Sequence, residues 1–407
     1  MATNNYIGEK FLNDIYKELF LEDVVKHSAT SKDNKNVRVR KYLLRLRRMN
    51  DTAKKNGDSG LKLLKEFYYN KYIIKEDKFP KKFFEIRKKL ALNRGYGHIE
   101  ISEDHIKGIK KLIISDQKQS LDRWINFILE DSNYPDWFKY YVFQGIVKIG
   151  SYDKALKKIN KRTSTTTNVF VGVNYQAINE IYDNLVKVLK EEKIEDSTLQ
   201  KLLKNGNFGK IYLYMLNKIN NNKDQDGLWR KYPQNTDYKL LIEDLQGKIT
   251  NWCIEGSHSA YLTLRDGDVY VYYTKDINNN YTCPRIGMTT NGDGTIDEVR
   301  GVAANQAIEK DMEEVVSKKL LEFTDGSNYI IKDNNMKRLT ELYTSKDKEL
   351  NAEELRFLYE IDEKILGFGL DKDPRINEIL STRDWKEDFS KISGCSVEDI
   401  KNKIKKI

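Results

Sequence analysis

The spacing of apolar residues changes partway along this chain, and that change limits what it can fold into. Up to about residue 220 apolar side chains recur every three or four positions, as one face of a helix demands. In Val269-Tyr270-Val271-Tyr272-Tyr273, in 283–288 and in 295–300 the period shortens to two. Beyond Gly301 the helical period returns. The pattern predicts a mainly α, multi-helical fold with one small antiparallel β module of three to five strands in residues 246–302. Gly267-Asp268, Asn278-Asn279-Asn280 and Asn291-Gly292-Asp293-Gly294 supply its turns. Tyr261-Leu262-Thr263-Leu264 reads either as a strand paired with 269–273 or as a helix end feeding it.

Around the module the same reading predicts a basic helical region (1–130), a helical core region (131–245) and an acidic helical region (303–407). Helices are expected at 6–27, 37–53, 60–74, 80–92, 103–130, from Asp136 to Phe143, and at 174–190, 197–204 and 208–219. Further helices are expected at 303–323, 333–344, 351–366 and 396–406. The stretch from Asp136 to Phe143 is apolar on nearly all sides and belongs at the centre of a core.

The chain has 407 residues, enough for two or three cores, and its 25 Tyr, 15 Phe and 5 Trp offset a charged fraction of 33%. No run approaches the ~18 apolar residues of a membrane span, and the first residues show no leader pattern. Three scattered cysteines, Cys253, Cys283 and Cys395, suit reduced thiols in a cytoplasmic setting.

The net charge of +9 is unevenly placed. Residues 31–95 hold 21 Lys and Arg against 7 Asp and Glu, whereas residues 296–363 hold 10 against 17. Nucleic acid is therefore the expected partner of residues 31–95, and a protein partner suits the acidic C-terminal third. Arg38, Lys41, Arg45 and Arg48 form one helix stripe with Arg40 and Arg47 beside it, able to meet regularly spaced phosphates. Phe67, Tyr68, Tyr69 and Tyr72 follow and offer faces for unpaired bases. The plainer alternative is a solvated face, or one paired with the acidic C-terminal third.

Candidate catalytic residues lie in the module. Cys253 precedes His258 by five positions, and a thiolate needs a nearby cation to act near neutral pH. Glu298 and Arg300 share one face of the 295–300 strand and form its natural polar pair. Against these stand a small buried thiol beside Trp252 and ordinary charges on a half-exposed sheet. Zinc through Cys253, His258 and Cys283 lacks a fourth ligand and any Cys-x-x-Cys spacing, so no metal is expected. The calcium-loop likeness of residues 222–227 fails because Pro233 stands where a closing carboxylate belongs. No phosphate loop or dinucleotide fingerprint appears, and no cofactor is expected.

Asn251-Trp252-Cys253, Ala260-Tyr261-Leu262, Gly267-Asp268, Pro284-Arg285-Ile286 and the close Glu298-Val299-Arg300-Gly301 with Asn305 resemble the Trp-Cys modules of phage and mobile-element proteins, including the PcfJ-like proteins of conjugative plasmids. The close is one residue longer here than the Arg-Gly-x-x-Asn-like form. The resemblance implies a phage, plasmid, or associated defence or transfer setting and no particular reaction. The leading expectation is a nucleic-acid-associated protein of such a system. The alternatives are an enzyme acting at the β module and a protein-binding regulator or inhibitor.

Overall fold

The computed structural model describes residues 2–16, 19–132, 134–153, 158–220, 226–303, 306–345 and 349–398. It divides into two compact units, Met1–Phe79 with Gly108–Glu313, and Pro80–Lys107 with Glu314–Ile407. In chain order the helices are α1 Ala2–Ile15, α2 Asp23–Lys26, α3 Lys35–Lys55, α4 Gly57–Tyr72, α5 Lys81–Asn93, α6 Glu103–Leu129, α7 Asp136–Ile146, α8 Tyr175–Leu189, α9 Ser197–Asn205 and α10 Phe208–Asn220. They continue with α11 Tyr238–Leu245, α12 Ser257–Asp266, α13 Glu313–Leu320, α14 Gly326–Thr344, α15 Ala352–Leu358, α16 Pro374–Leu380 and α17 Trp385–Ser393. The strands are β1 Ile149–Asp153, β2 Lys158–Lys161, β3 Gly227–Tyr232, β4 Val269–Lys275, β5 Tyr281–Thr290 and β6 Ile296–Gly301. The protein is mainly α with a small antiparallel β part. No described helix is long and apolar enough to cross a membrane.

Helix starts follow from side-chain caps. Asn34 accepts the Val37 N–H to open α3, Asn174 accepts that of Ala177 to open α8, and Asp196 accepts that of Leu199 to open α9. α7 follows Pro135, whose fixed φ presets the turn, and buries Trp137, Phe138, Tyr141, Val142, Phe143 and Ile146 as its all-round apolarity requires. Those rings meet Phe11, Phe208 and Tyr182, with Phe11 and Tyr141 edge to face at 5.0 Å. Each ring so buried contributes about 2 kcal/mol. Two polar ends in this core are satisfied by carbonyls: Trp124 donates to that of Val171 at 2.6 Å, and Tyr212 to that of Gly172 at 2.7 Å.

The four-stranded sheet runs in the order β3-β4-β5-β6, and β1 and β2 form a separate hairpin. At the β4–β5 turn the Asp276 carboxylate accepts the N–H groups of Asn278 and Asn280, and Asn279 takes φ 63°. At the β5–β6 turn Gly294 takes φ 84°. The strand pairing begins before residue 246, because β3 lies along β4 with Trp229 against Tyr272 at 5.2 Å.

Trp252 stitches the two ends of the module together. Its indole donates to the Gly301 carbonyl at 2.8 Å and lies over Gly287, where a Cβ would meet the ring at 3.1 Å. A Cβ on Gly301 would strike the Ala307 carbonyl at 2.1 Å, so only glycine permits that approach.

Several expectations need correction. Residues 261–264 belong to α12, the helix-end alternative, and residues 253–255 form a 3₁₀ turn. The helix expected at 6–27 is broken into α1, a 3₁₀ turn Leu19–Leu21 and α2, an arrangement that buries Leu19 and Val25 together. That expected at 303–323 is helical only from Lys310. Glu309 is extended, which brings it to Arg285 at 2.5 Å and Asp311 to the same guanidinium at 2.8 Å. The 351–366 helix ends at Leu358, followed by Glu360 at φ 50°, whose carboxylate accepts the Ile365 N–H. Of the 396–406 helix only residues 396–398 are described; its remainder and Asn305 lie outside the described residues, as do residues 222–225 of the calcium-like loop. Strands β1, β2 and β3 and helices α11, α16 and α17 are additions.

In the second unit, Leu339, Leu355, Leu358, Ile376 and Ile379 form the core. Arg375 is wholly buried there, held by Asp373 at 2.8 and 2.9 Å and by Thr340 Oγ1 at 2.8 Å.

Candidate functional site

Half of the six bases on α3 are paired with carboxylates within the fold. Arg40 is paired bidentately with the buried Glu9 at 2.7 and 2.8 Å. Lys41 reaches Asp33 at 2.7 Å and holds that carboxyl down at about 2. Arg47 lies 3.8 Å from Asp51 and 3.7 Å from Asp136. Arg38 donates to the carbonyls of Asp33 and Ser31. Among the described residues only Arg45 and Arg48 of the six have neither a carboxylate nor a carbonyl partner, and both are exposed.

The opposite side of α3 faces a cavity of about 460 Å³, within the range of small-ligand sites. Tyr42, Phe67, Tyr72, Tyr140 and Tyr182 wall it, and Arg47, Lys54, Lys71 and Lys139 are balanced by Asp51, Glu130, Asp131 and Asp136. The structure thus brings Arg47, Phe67, Tyr68 and Tyr72 together, while Tyr69 is turned to Asp122 at 2.6 Å. Phe67 lines the cavity with 52% of its surface exposed, so its ring is open to a ligand. Asn50 Oδ1 and Ser132 Oγ are buried on the wall with no hydrogen-bond partner among the described residues. Burial raises the Asp136 carboxyl despite Arg47 and Lys139, and burial lowers Lys139. Unpartnered acceptors, aromatic faces and desolvated charges converging in one cavity are the marks of a binding site.

Beyond the end of α4 lies a second cavity, about 390 Å³, sharing Lys71 and Tyr72 with the first. Its other lining includes Lys75, Lys78, Lys148, Arg162, Thr163 and Ser164. Lys54, Asp136, Lys139, Lys148 and Arg162 escaped the sequence reading. The Lys71, Lys75 and Lys78 spacing was visible, but its convergence with residues some seventy positions later was not.

At the β module, Arg300 bonds Glu298 at 2.6 Å and donates to Gln306, whose amide donates to the Asn251 carbonyl at 2.5 Å. Burial disfavours the Arg300 charge, but the neighbouring Glu298 carboxylate raises its pKa overall. Cys253 is exposed. No hydrogen bond among the described residues joins His258 to Cys253; the His258 backbone N–H is held by Asp116 at 2.8 Å, and its ring lies against Tyr261. Asp116 also accepts from Ser259 Oγ at 2.7 Å, so it caps α12. Among the described residues no group of three or more His, Cys, Asp or Glu is placed to hold a metal ion.

Compared with known proteins, the chain matches no family model, no curated protein and no solved structure.

Proposed function

We propose that the protein binds single-stranded nucleic acid, seating an unpaired base in the aromatic cavity between α3, α4 and α7. The observation that carries this reading is that cavity's wall, with the exposed Phe67 ring beside Tyr72 and Arg47. Aromatic faces accept any base, and stacking contributes about 1–3 kcal/mol per base. The unpartnered Asn50 and Ser132 oxygens supply acceptors for base N–H groups. Arg45 and Arg48, left without carboxylates, supply backbone contacts on the outer side of the same helix. The Trp-Cys resemblance sets this activity in a phage, plasmid, or associated defence or transfer system. The Trp252 to Gly301 hydrogen bond supports treating that segment as a structural unit.

Fluorescence anisotropy with a labelled single-stranded oligonucleotide tests the reading. Binding should weaken steeply with salt, and Phe67→Ala should weaken it about tenfold with an unchanged melting temperature. Absent or salt-independent binding ends the proposal.

A second reading places chemistry at the module, favoured by the exposed Cys253 thiol beside the Arg300 guanidinium. Iodoacetamide should then modify Cys253 faster than Cys395, and Arg300→Gln should slow it severalfold. Equal rates at the two thiols contradict this reading.

A further inference from the structure

The cavity beyond α4 differs in kind from its neighbour. Its lining places Lys71, Lys75, Lys78, Lys148 and Arg162 around one space, and among the described residues none of its lining is acidic. Other bases of the unit are met by acids, as Lys65 is by Asp122 at 2.9 Å and Lys218 by Asp196 at 2.9 Å. Here only Lys78 has a carboxylate partner among the described residues, the adjacent Asp77 at 3.6 Å. Lys148 rests over the Tyr16 ring at 4.9 Å.

Arg162 is fixed more firmly. Its Nε donates to the Ile149 carbonyl at 3.0 Å, and its Nη2 to those of Asn168 at 2.8 Å and Val169 at 2.9 Å. The guanidinium stacks on Phe170 at 3.8 Å. Carbonyls orient it without neutralising it, and Nη1 has no partner among the described residues. Like charges gathered in one cleft repel, and an oxyanion entering it relieves that repulsion and gains charge-assisted hydrogen bonds. The Ser164 hydroxyl adds a donor that a phosphate oxygen accepts, whereas that of Thr163 is bonded to Thr165 and Thr166 within its own turn.

We infer that this cleft is a phosphate-binding site, with Arg162 as its fixed anchor and Lys75 and Lys148 as its mobile clamps. The assignment stands on the cleft alone. Its extension rests on the nucleic-acid reading: because Lys71 and Tyr72 line both cavities, a strand with its base in the aromatic cavity would place a phosphate in the cleft. The phosphate can belong to a free polyphosphate or to a strand, and the two sources share the same chemistry.

Isothermal titration of the full chain with inorganic pyrophosphate tests the site. Pyrophosphate should bind with one-to-one stoichiometry, and Lys75→Gln with Lys148→Gln should weaken it tenfold or more. Lys75→Gln alone, at an exposed position, should weaken it severalfold with the melting temperature unchanged, which separates binding from folding. No pyrophosphate binding by the unaltered chain, or binding unchanged in both variants, overturns the assignment. A 5′-phosphorylated oligonucleotide and its 5′-hydroxyl counterpart sort the source. Tighter binding of the first supports a strand's terminal phosphate, and equal binding displaced by pyrophosphate supports an internal one. Pyrophosphate binding without oligonucleotide binding keeps the phosphate site and removes the nucleic-acid reading.

Discussion

The α3 stripe and the cleft beyond α4 are both rich in basic residues, yet they end in opposite electrostatic states. On α3, three of the six candidate bases meet carboxylates: Arg40 meets Glu9, Lys41 meets Asp33 and Arg47 meets Asp51 and Asp136. In the cleft, only Lys78 does so among the described residues, at 3.6 Å. A run of bases in sequence thus says little about available charge, because the fold decides which acids reach them. Paired bases contribute to stability, and unpaired ones remain for a ligand.

The contrast breaks if paired and unpaired bases behave alike on substitution. The largest effect is expected at the most deeply paired base. Arg375→Ala strands the buried Asp373 carboxylate and should cost about 3–5 kcal/mol, measured by denaturant unfolding, with no change in ligand affinity that a stability loss does not explain. Arg40→Ala leaves the buried Glu9 unpartnered and should cost about 1–3 kcal/mol. At unpaired positions the readouts reverse. Arg48→Ala should leave the unfolding midpoint in place and weaken oligonucleotide binding a few-fold.

The smallest effect sharpens the picture of the aromatic cavity. Burial raises the Asp136 carboxyl, so the folded state favours its protonated form. A raised carboxyl pKa means that stability is fullest below the ordinary value of 3.8 and is lost as pH rises through the folded value. Asp136→Asn should therefore slightly raise the melting temperature at pH 7 and flatten its decline above pH 4, as scanning calorimetry would show.

The fold was legible wherever one hydrophobic period ran unbroken. The α7 segment, apolar on every side, lies at the centre of the core, and the turns around Asn279 and Gly294 fall between strands as their residue types require. Legibility failed where a distant partner sets the conformation. In β3, Gly227-Leu228-Trp229-Arg230-Lys231-Tyr232 has no clean alternation and becomes a strand by pairing with β4. The start of the expected 303–323 helix is held extended by the demand of the buried Arg285 for Glu309. The site divides the same way. Arg47, Phe67, Tyr68 and Tyr72 could be named from local spacing, whereas Lys148 and Arg162 join Lys71 and Lys75 only through tertiary packing. Sequence spacing also paired Cys253 with His258, but the 3₁₀ turn and the Asp116 cap direct them to different neighbours.

The most direct test of unpaired against paired charge is the slope of log Kd against log salt for a single-stranded oligonucleotide. The unaltered chain should show a steep salt dependence. Lys75→Gln with Lys148→Gln should shallow it by about 0.7 per removed contact, while Lys41→Gln should leave it unchanged. Equal slopes in all three proteins, or a larger change from Lys41→Gln than from the cleft variant, would contradict the account.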